Sequence, residues 1–273
     1  VSSLNQETRY SEKMAQNIAL KAASNDWVMV IPPCPGETPD EWLTTISSKM
    51  NDEKDVVVNY SNVKRQPRFF NLLYRNERFF QQLKSFGFIL NRLSYLSFEE
   101  NIAFRKEKYF EAGGFGQHIK EHFANLELVI NDFIEKKKTA INFCSNAAIK
   151  KEMDVSKIDY FELLKKEQRI QKNLSFSREF ILFCEKWLTL LFYPFVVFIF
   201  FYFREFTFVI SGLILLYFTA FAFIIKISLN RLNERNLFLS SLVYALIIPI
   251  WKAGYQGYFQ YKSRRRQKWK SKS

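Results

Sequence analysis

Two histidines and a glutamate stand where zinc chemistry would want them. His118-Ile119-Lys120-Glu121-His122 has the H-x-x-E-H order, and on a helix its imidazoles at i and i+4 would share a face with Glu121 beside them as a base. Such a site needs a further carboxylate ligand from elsewhere, and Gly113-Gly114-Phe115-Gly116 immediately upstream reads as a turn. Cys34, Cys144 and Cys184 are widely scattered, giving neither a C-x-x-C pair nor an even disulfide framework, as suits a reducing compartment. The tail Arg264-Arg265-Arg266-Gln267-Lys268-Trp269-Lys270 could neutralise phosphates. Beside long apolar stretches, such charge is placed for anionic lipid headgroups, at about 1 kcal/mol per Lys or Arg near the surface, rather than for nucleic acid. The chain contains no P-loop, no G-x-G-x-x-G and no G-x-S-x-G elbow.

The most informative stretch runs from Glu100 to Phe115. Asn101-Ile102-Ala103-Phe104-Arg105 reads as a short strand, Lys106-Glu107-Lys108 opens a helical turn, and Gly113-Gly114 supplies the positive φ at which a helix stops. An N-x-A-[YF]-R-[KR] strand running into G-G-F resembles the acceptor-side segment of membrane-associated family 2 glycosyltransferases, which have the GT-A fold. Lys13 to Val30 resembles the helix and strand leading into that family's metal motif. Asp40-Glu41-Trp42-Leu43 falls at its W-L helix start, and Leu128-Val129-Ile130-Asn131 at the apolar helix after its acid motif. The resemblance covers roughly residues 1 to 175, and the order and spacing of the pieces agree.

The resemblance implies an α/β fold: a partial GT-A domain over 1–178, opening later than the family's domain does and so N-terminally incomplete. It implies transfer of a sugar from a nucleotide donor to a lipid-linked or envelope glycan acceptor at the bacterial inner membrane, with Mg²⁺ or Mn²⁺ as the family's cofactor. Asn101, Gly113, Gly114, Phe115 and His118 would shape the acceptor side. Two departures stand out. The D-x-D acids align with Pro32 and Cys34, neither a ligand for a hard cation, so the chain itself supplies no metal ligands there. The G-E-D motif aligns with Ala124-Asn125-Leu126-Glu127, so Glu127 is the candidate base and Asn125 its neighbour in the catalytic window. Gln168-Arg169 stands near the place of the family's Q-x-x-R-W motif, with different spacing and no Trp. An inactive glycosyltransferase-like scaffold or partner subunit is therefore the alternative to an enzyme.

Periodicity places helices at about 11–24, 39–50, 68–84, 123–136 and 157–174, and strands at about 26–32, 55–60, 99–105 and 139–144. Asp55-Val56-Val57-Val58-Asn59-Tyr60 is β-branched and mostly apolar, as a strand buried on both faces is.

Apolar residues concentrate from Phe180 onward. Trp187–Phe203 and Phe206–Ile225 are uncharged, roughly 25 and 30 Å long as helices, and predict a membrane hairpin within 179–230. Of the formal net charge of +13, a net ten positive charges lie at Lys226 and beyond. By the positive-inside rule these residues and the soluble domain face the cytoplasm. Leu237–Trp251 contains Pro249 and is short for a span, so 231–273 reads as an interfacial or re-entrant helix with a basic cytoplasmic tail.

Overall fold

The computed structural model describes residues 2–32, 34–36, 38–91, 95–119, 121, 126–135 and 137–270, with side chains given between residues 12 and 255 of that set. The chain divides into two compact units: Val1–Glu179 with Asn230–Glu234, and Phe180–Leu229 with Arg235–Ser273.

The first unit is a mixed α/β layer. In chain order it comprises α1 (Ser2–Ala22), β1 (Trp27–Val30), α2 (Trp42–Ser47), β2 (Val56–Asn59), β3 (Ser61–Val63), α3 (Phe69–Leu90), β4 (Ile102–Arg105), α4 (Lys106–Glu111), α5 (Leu126–Phe133), β5 (Thr139–Asn142), β6 (Ile149–Lys151) and α6 (Lys157–Lys172). The main sheet has the order β1-β4-β2-β5. β4 is antiparallel to both its neighbours, whereas β2 and β5 are parallel, so β1, β2 and β5 all run the same way. β3 and β6 form a separate parallel pair.

Strand alternation sorts the core. Val57 and Ala103, partners in register, face Ile46 and Ala147 on one side. On the other strand positions Phe104 meets Phe133 at 6.2 Å and Tyr109 at 6.3 Å between ring centroids. Val56, Val57 and Val58 are fully buried, as a β-branched interior strand demands. α6 starts on a capping box, Ser156 and Asp159 each satisfying the other's backbone. Every helix and strand expected from periodicity has a counterpart, although α1 begins at Ser2 rather than near residue 11. β3 and β6 were not legible: three residues each, and polar enough to hide any alternation.

The second unit contains α7 (Phe176–Tyr202) from Phe180 onward, α8 (Thr207–Arg231) as far as Leu229, and α9 (Phe238–Lys270). Among the described residues three helical stretches are long and apolar enough to cross a membrane: Phe176–Tyr202, Arg204–Arg231 and Arg235–Tyr255, each containing an 18-residue segment with mean hydropathy of 1.7, 2.5 and 1.6 respectively. This corrects the length argument for Leu237–Trp251. The helix does not stop at Trp251 but runs 33 residues through Pro249, and its 21-residue apolar stretch would reach roughly 32 Å. Within this unit the Tyr193 hydroxyl donates to the Leu246 carbonyl at 2.8 Å, close to the two helix-interior prolines, Pro194 and Pro249.

Candidate functional site at the carboxyl edge of the sheet

Ligands of open α/β sheets bind beyond the carboxyl ends of the strands. Here that edge gathers the residues after β1 and β2, those after β5, and, because β4 is reversed, the residues just before it. Asn101 is the knot. Its φ is +60°, a conformation Asn tolerates better than most side chains. Its N–H donates to the Val30 carbonyl at 2.8 Å. Its side-chain amide donates to the Tyr60 carbonyl at 2.7 Å and the Ala147 carbonyl at 2.8 Å, and Trp42 Nε1 donates to Oδ1 at 3.3 Å. Asn59 reaches the Asn101 carbonyl through its side-chain amide at 2.9 Å, and Asn142 donates to Asn59 at 2.8 Å. Asn101 is fully buried, and these bonds occupy its side chain on structure.

Next in the chain to Asn101 lies a cluster of acids and cations, with Glu127 and Arg78 buried and Glu99, Glu100, Lys151 and Lys166 partly buried. Glu127, in the first turn of α5, has no exposed surface. Lys166 on α6 lies 2.5 Å from its Oε1 and 3.1 Å from Glu99 Oε1. Glu99 also accepts from the Leu126 N–H at 3.1 Å, and Glu100 pairs with Arg78 at 2.7 Å and Lys151 at 2.6 Å. Burial and then the Glu99 charge push the Glu127 carboxyl up to about 8, against the pull of Lys166. For Glu99, burial works upward but the Lys166 charge and hydrogen bonds outweigh it and lower the pKa. Burial likewise opposes Glu100, and Arg78 and Lys151 together lower it. Glu127 and Glu99 are hydrogen-bonded to each other, and the opposite shifts favour the neutral form of Glu127 beside an ionised Glu99.

The segment after β1 is packed against the small sheet. Pro32 is buried and Cys34 exposed. The Cys34 carbonyl accepts from the Glu152 N–H at 3.3 Å, and a Cβ on Gly36, at φ +64°, would meet the Lys150 carbonyl at 2.3 Å. A pyrrolidine and an exposed thiol do not fit Mg²⁺ or Mn²⁺, which take carboxylate oxygens. Among the described residues no group of three or more His, Cys, Asp or Glu is placed to hold a metal ion. His122 and Asn125 lie outside the described residues.

The glycine turn sits elsewhere. β4 carries the chain away from Asn101, and its last residue sits at the amino ends of β1 and β2: the Arg105 N–H donates to the Asp55 carbonyl at 2.9 Å and the Lys106 N–H to the Asp26 carbonyl at 2.7 Å. α4 follows, then Gly113 at φ +79° and Gly114 at φ +58°. Phe115 packs on Tyr109 at 5.8 Å. Lys13 on α1, 4 % exposed, donates to the His118 carbonyl at 2.9 Å and also to that of Glu121. His118 pairs with Asp132 near the far end of α5 at 2.7 Å. The structure therefore places Asn101 and Glu127 near one edge and Gly113, Gly114, Phe115 and His118 toward the other, beside an open polar cleft of about 380 Å³ whose lining includes Asp55, Glu111, Asp132 and Glu135 together with Lys108 and Lys138. Gln168 and Arg169 are half-buried on α6. Their neighbour Glu167 is buried, and Lys166, itself partly exposed, is the one that reaches Glu127 and Glu99; sequence reasoning missed both because a charged residue at helical spacing carries no mark of its tertiary partners.

No family model matches the chain, and neither does any curated protein or solved structure.

Proposed function

We propose that the chain is a membrane-anchored, glycosyltransferase-like partner subunit in envelope glycan assembly, seated in the bacterial inner membrane with its first unit and basic tail facing the cytoplasm. One observation carries this reading over that of an enzyme: Glu127, the single carboxylate in the acid-motif window, has no exposed surface and is held by Lys166 at 2.5 Å. A general base must reach the proton it removes, and this carboxyl is spent inside the fold. The mixed sheet, the glycine turn after β4 and the apolar helices support the resemblance to membrane-associated glycosyltransferases. Pro32 and Cys34 support a role without metal-assisted transfer of a nucleotide sugar by this chain.

A second reading, an active transferase, draws on the raised pKa of Glu127, since a carboxyl titrating at about 8 is suited to proton transfer near neutrality. Complementation separates the two. In cells lacking the chain, the partner-subunit reading expects Glu127→Gln to restore the envelope glycan as fully as the native chain does. The enzyme reading expects sugar transfer in membranes to fall by about two to four orders of magnitude. Calorimetry with UDP- and GDP-sugars and Mn²⁺ supplies a direct check, and micromolar metal-dependent binding would overturn the partner-subunit reading.

A further inference from the structure

The last two residues of α8 and the three that follow, Asn230–Glu234, belong to the first unit, although the helices on either side belong to the second. Leu232 has no exposed surface and Glu234 is 2 % exposed. One oxygen of Glu234 forms an ion pair with Arg75 on α3, itself buried, and Lys150 on β6 approaches the other at 4.0 Å. Lys150 also donates to the Asn233 carbonyl at 3.2 Å, and Asn233 turns the chain at φ +53°. A carboxylate enters an interior only where cations already wait for it, so this short connection has a built socket.

The socket is wired to the carboxyl edge. The Arg75 carbonyl accepts from the Asn62 side-chain amide at 3.2 Å, and the same amide donates to the Tyr60 hydroxyl at 2.7 Å. The Tyr60 carbonyl in turn accepts from Asn101 at 2.7 Å. All four side chains in this series are buried. Burial and then the nearby Glu234 charge hold the Tyr60 hydroxyl well above its ordinary pKa, so the carboxylate is felt at Tyr60 directly as well as through the chain of bonds.

We propose that Leu232 and Glu234 form a latch: their seating against Arg75 and Lys150 fixes Tyr60, Asn62 and Asn101, so the α8–α9 connection and the carboxyl edge of the sheet behave as one conformational element. The chain leaves the first unit after Glu179 and is back in it at Asn230. Helices α7 and α8 therefore cross a membrane as a pair or not at all, and any displacement along α8 or α9 pulls on the latch by covalent continuity.

Amide-resolved hydrogen exchange on the full chain in lipid nanodiscs tests this. Glu234→Gln keeps the shape and removes the charge. It should speed exchange by about tenfold or more at residues 232–236 and, by a comparable factor, at Asn62, Val63 and Asn101, with Val57 and Ile141 in the core strands unchanged. Acceleration confined to 232–236 would show a local anchor and overturn the latch. Should Glu234→Gln also lose protection at Val57 and Ile141, the milder Leu232→Ala carries the same comparison, with the same two outcomes.

Discussion

Lys166 Nζ lies 2.5 Å from Glu127 Oε1, and Glu127 has no contact with solvent at all. Two helices separated in the chain by β5 and β6, α5 and α6, are thus joined by a charge pair where apolar side chains would ordinarily meet. The same ammonium reaches Glu99 at 3.1 Å, so one lysine holds two carboxyls together, and the raised pKa of Glu127 favours the neutral form that relieves their repulsion.

Lys166→Met should therefore destabilise the first unit by about 3–5 kcal/mol, the usual consequence of leaving buried acids without their cation. Adding Glu127→Gln to that variant should recover part of the loss, because a glutamine, unlike Glu127, does not have to take up a proton on folding near neutral pH. Thermal unfolding of the single and double variants in detergent checks both steps, and a double variant no better than Lys166→Met would contradict the geometry.

The cluster also sets a pH window. Glu127 is raised, from an ordinary value of 4.5 to about 8, so its contribution is full below about 4.5 and is lost as pH rises through about 8. Glu99 and Glu100 are lowered, so theirs is present above about 4.5 and lost as pH falls through their folded-state values. Stability of the first unit should therefore peak in mild acid. Glu127→Gln cannot ionise and should gain on the native chain between pH 5 and pH 9 by an amount on the order of 2–4 kcal/mol. Parallel stability curves for the two proteins across that range would show that Glu127 does not titrate there.

Much of this architecture was legible. The run Val56-Val57-Val58 announced a strand buried on both faces, and Gly113-Gly114 announced a left-handed helix stop, because both signals are local. The site was less legible, because its defining facts are long-range. The sequence marks Asn101 only through the resemblance and does not show that its side chain ties together Trp42, Tyr60 and Ala147, nor does it distinguish the buried Lys13 or the ion-paired Lys166 from ordinary helix-surface lysines. α3 shows the difficulty most plainly: Arg75, Asn76, Glu77, Arg78, Gln81 and Gln82 are all buried, so hydrophobic patterning assigns its polar face to solvent when the tertiary structure covers it. Length misled at Leu237–Trp251, since Pro249 and the tyrosines beyond Trp251 do not end α9.

Asn101 combines a left-handed backbone with two satisfied side-chain donors. Asn101→Ala should cost about 3–5 kcal/mol, from the Tyr60 and Ala147 carbonyls left without those donors and from the φ penalty of an alanine. Asn101→Gly removes only the first part and should be less harmful by about 1–2 kcal/mol. Equal losses in denaturant titrations of the two would mean that φ at this position carries no strain.

The two glycines of the turn should respond unequally. A Cβ on Gly113 meets nothing within 4 Å, whereas one on Gly114 comes within 3.0 Å of the Tyr109 ring, and Tyr109 is fully buried. Gly113→Ala should cost about 1–2 kcal/mol from its positive φ alone. Gly114→Ala adds overpacking and should cost about 2–4 kcal/mol. Thermal midpoints that ranked the two the other way would contradict the placement of Tyr109 over Gly114.

Topology gives the last test. Because the chain is back in the first unit at Asn230, α7 and α8 either both cross a membrane or neither does, and a crossing pair would carry the Arg204–Phe206 turn to the far side of the bilayer. For α9, length permits a crossing and charge opposes it: Lys262, Arg264, Arg265, Arg266, Lys268, Lys270 and Lys272 would have to be carried across, at about 2.3 kcal/mol per charge per 100 mV in addition to the cost of passing the bilayer. Charge should prevail, leaving the apolar part of α9 in the membrane interface and the tail on the cytoplasmic side. Reporter fusions at Ser175 and Ser273 should then give the same cytoplasmic signal, and a sandwich reporter between Arg204 and Glu205 the opposite one. Opposite signals at Ser175 and Ser273 would establish that α9 crosses, and identical signals at Ser175 and the 204–205 insertion would show that the hairpin does not.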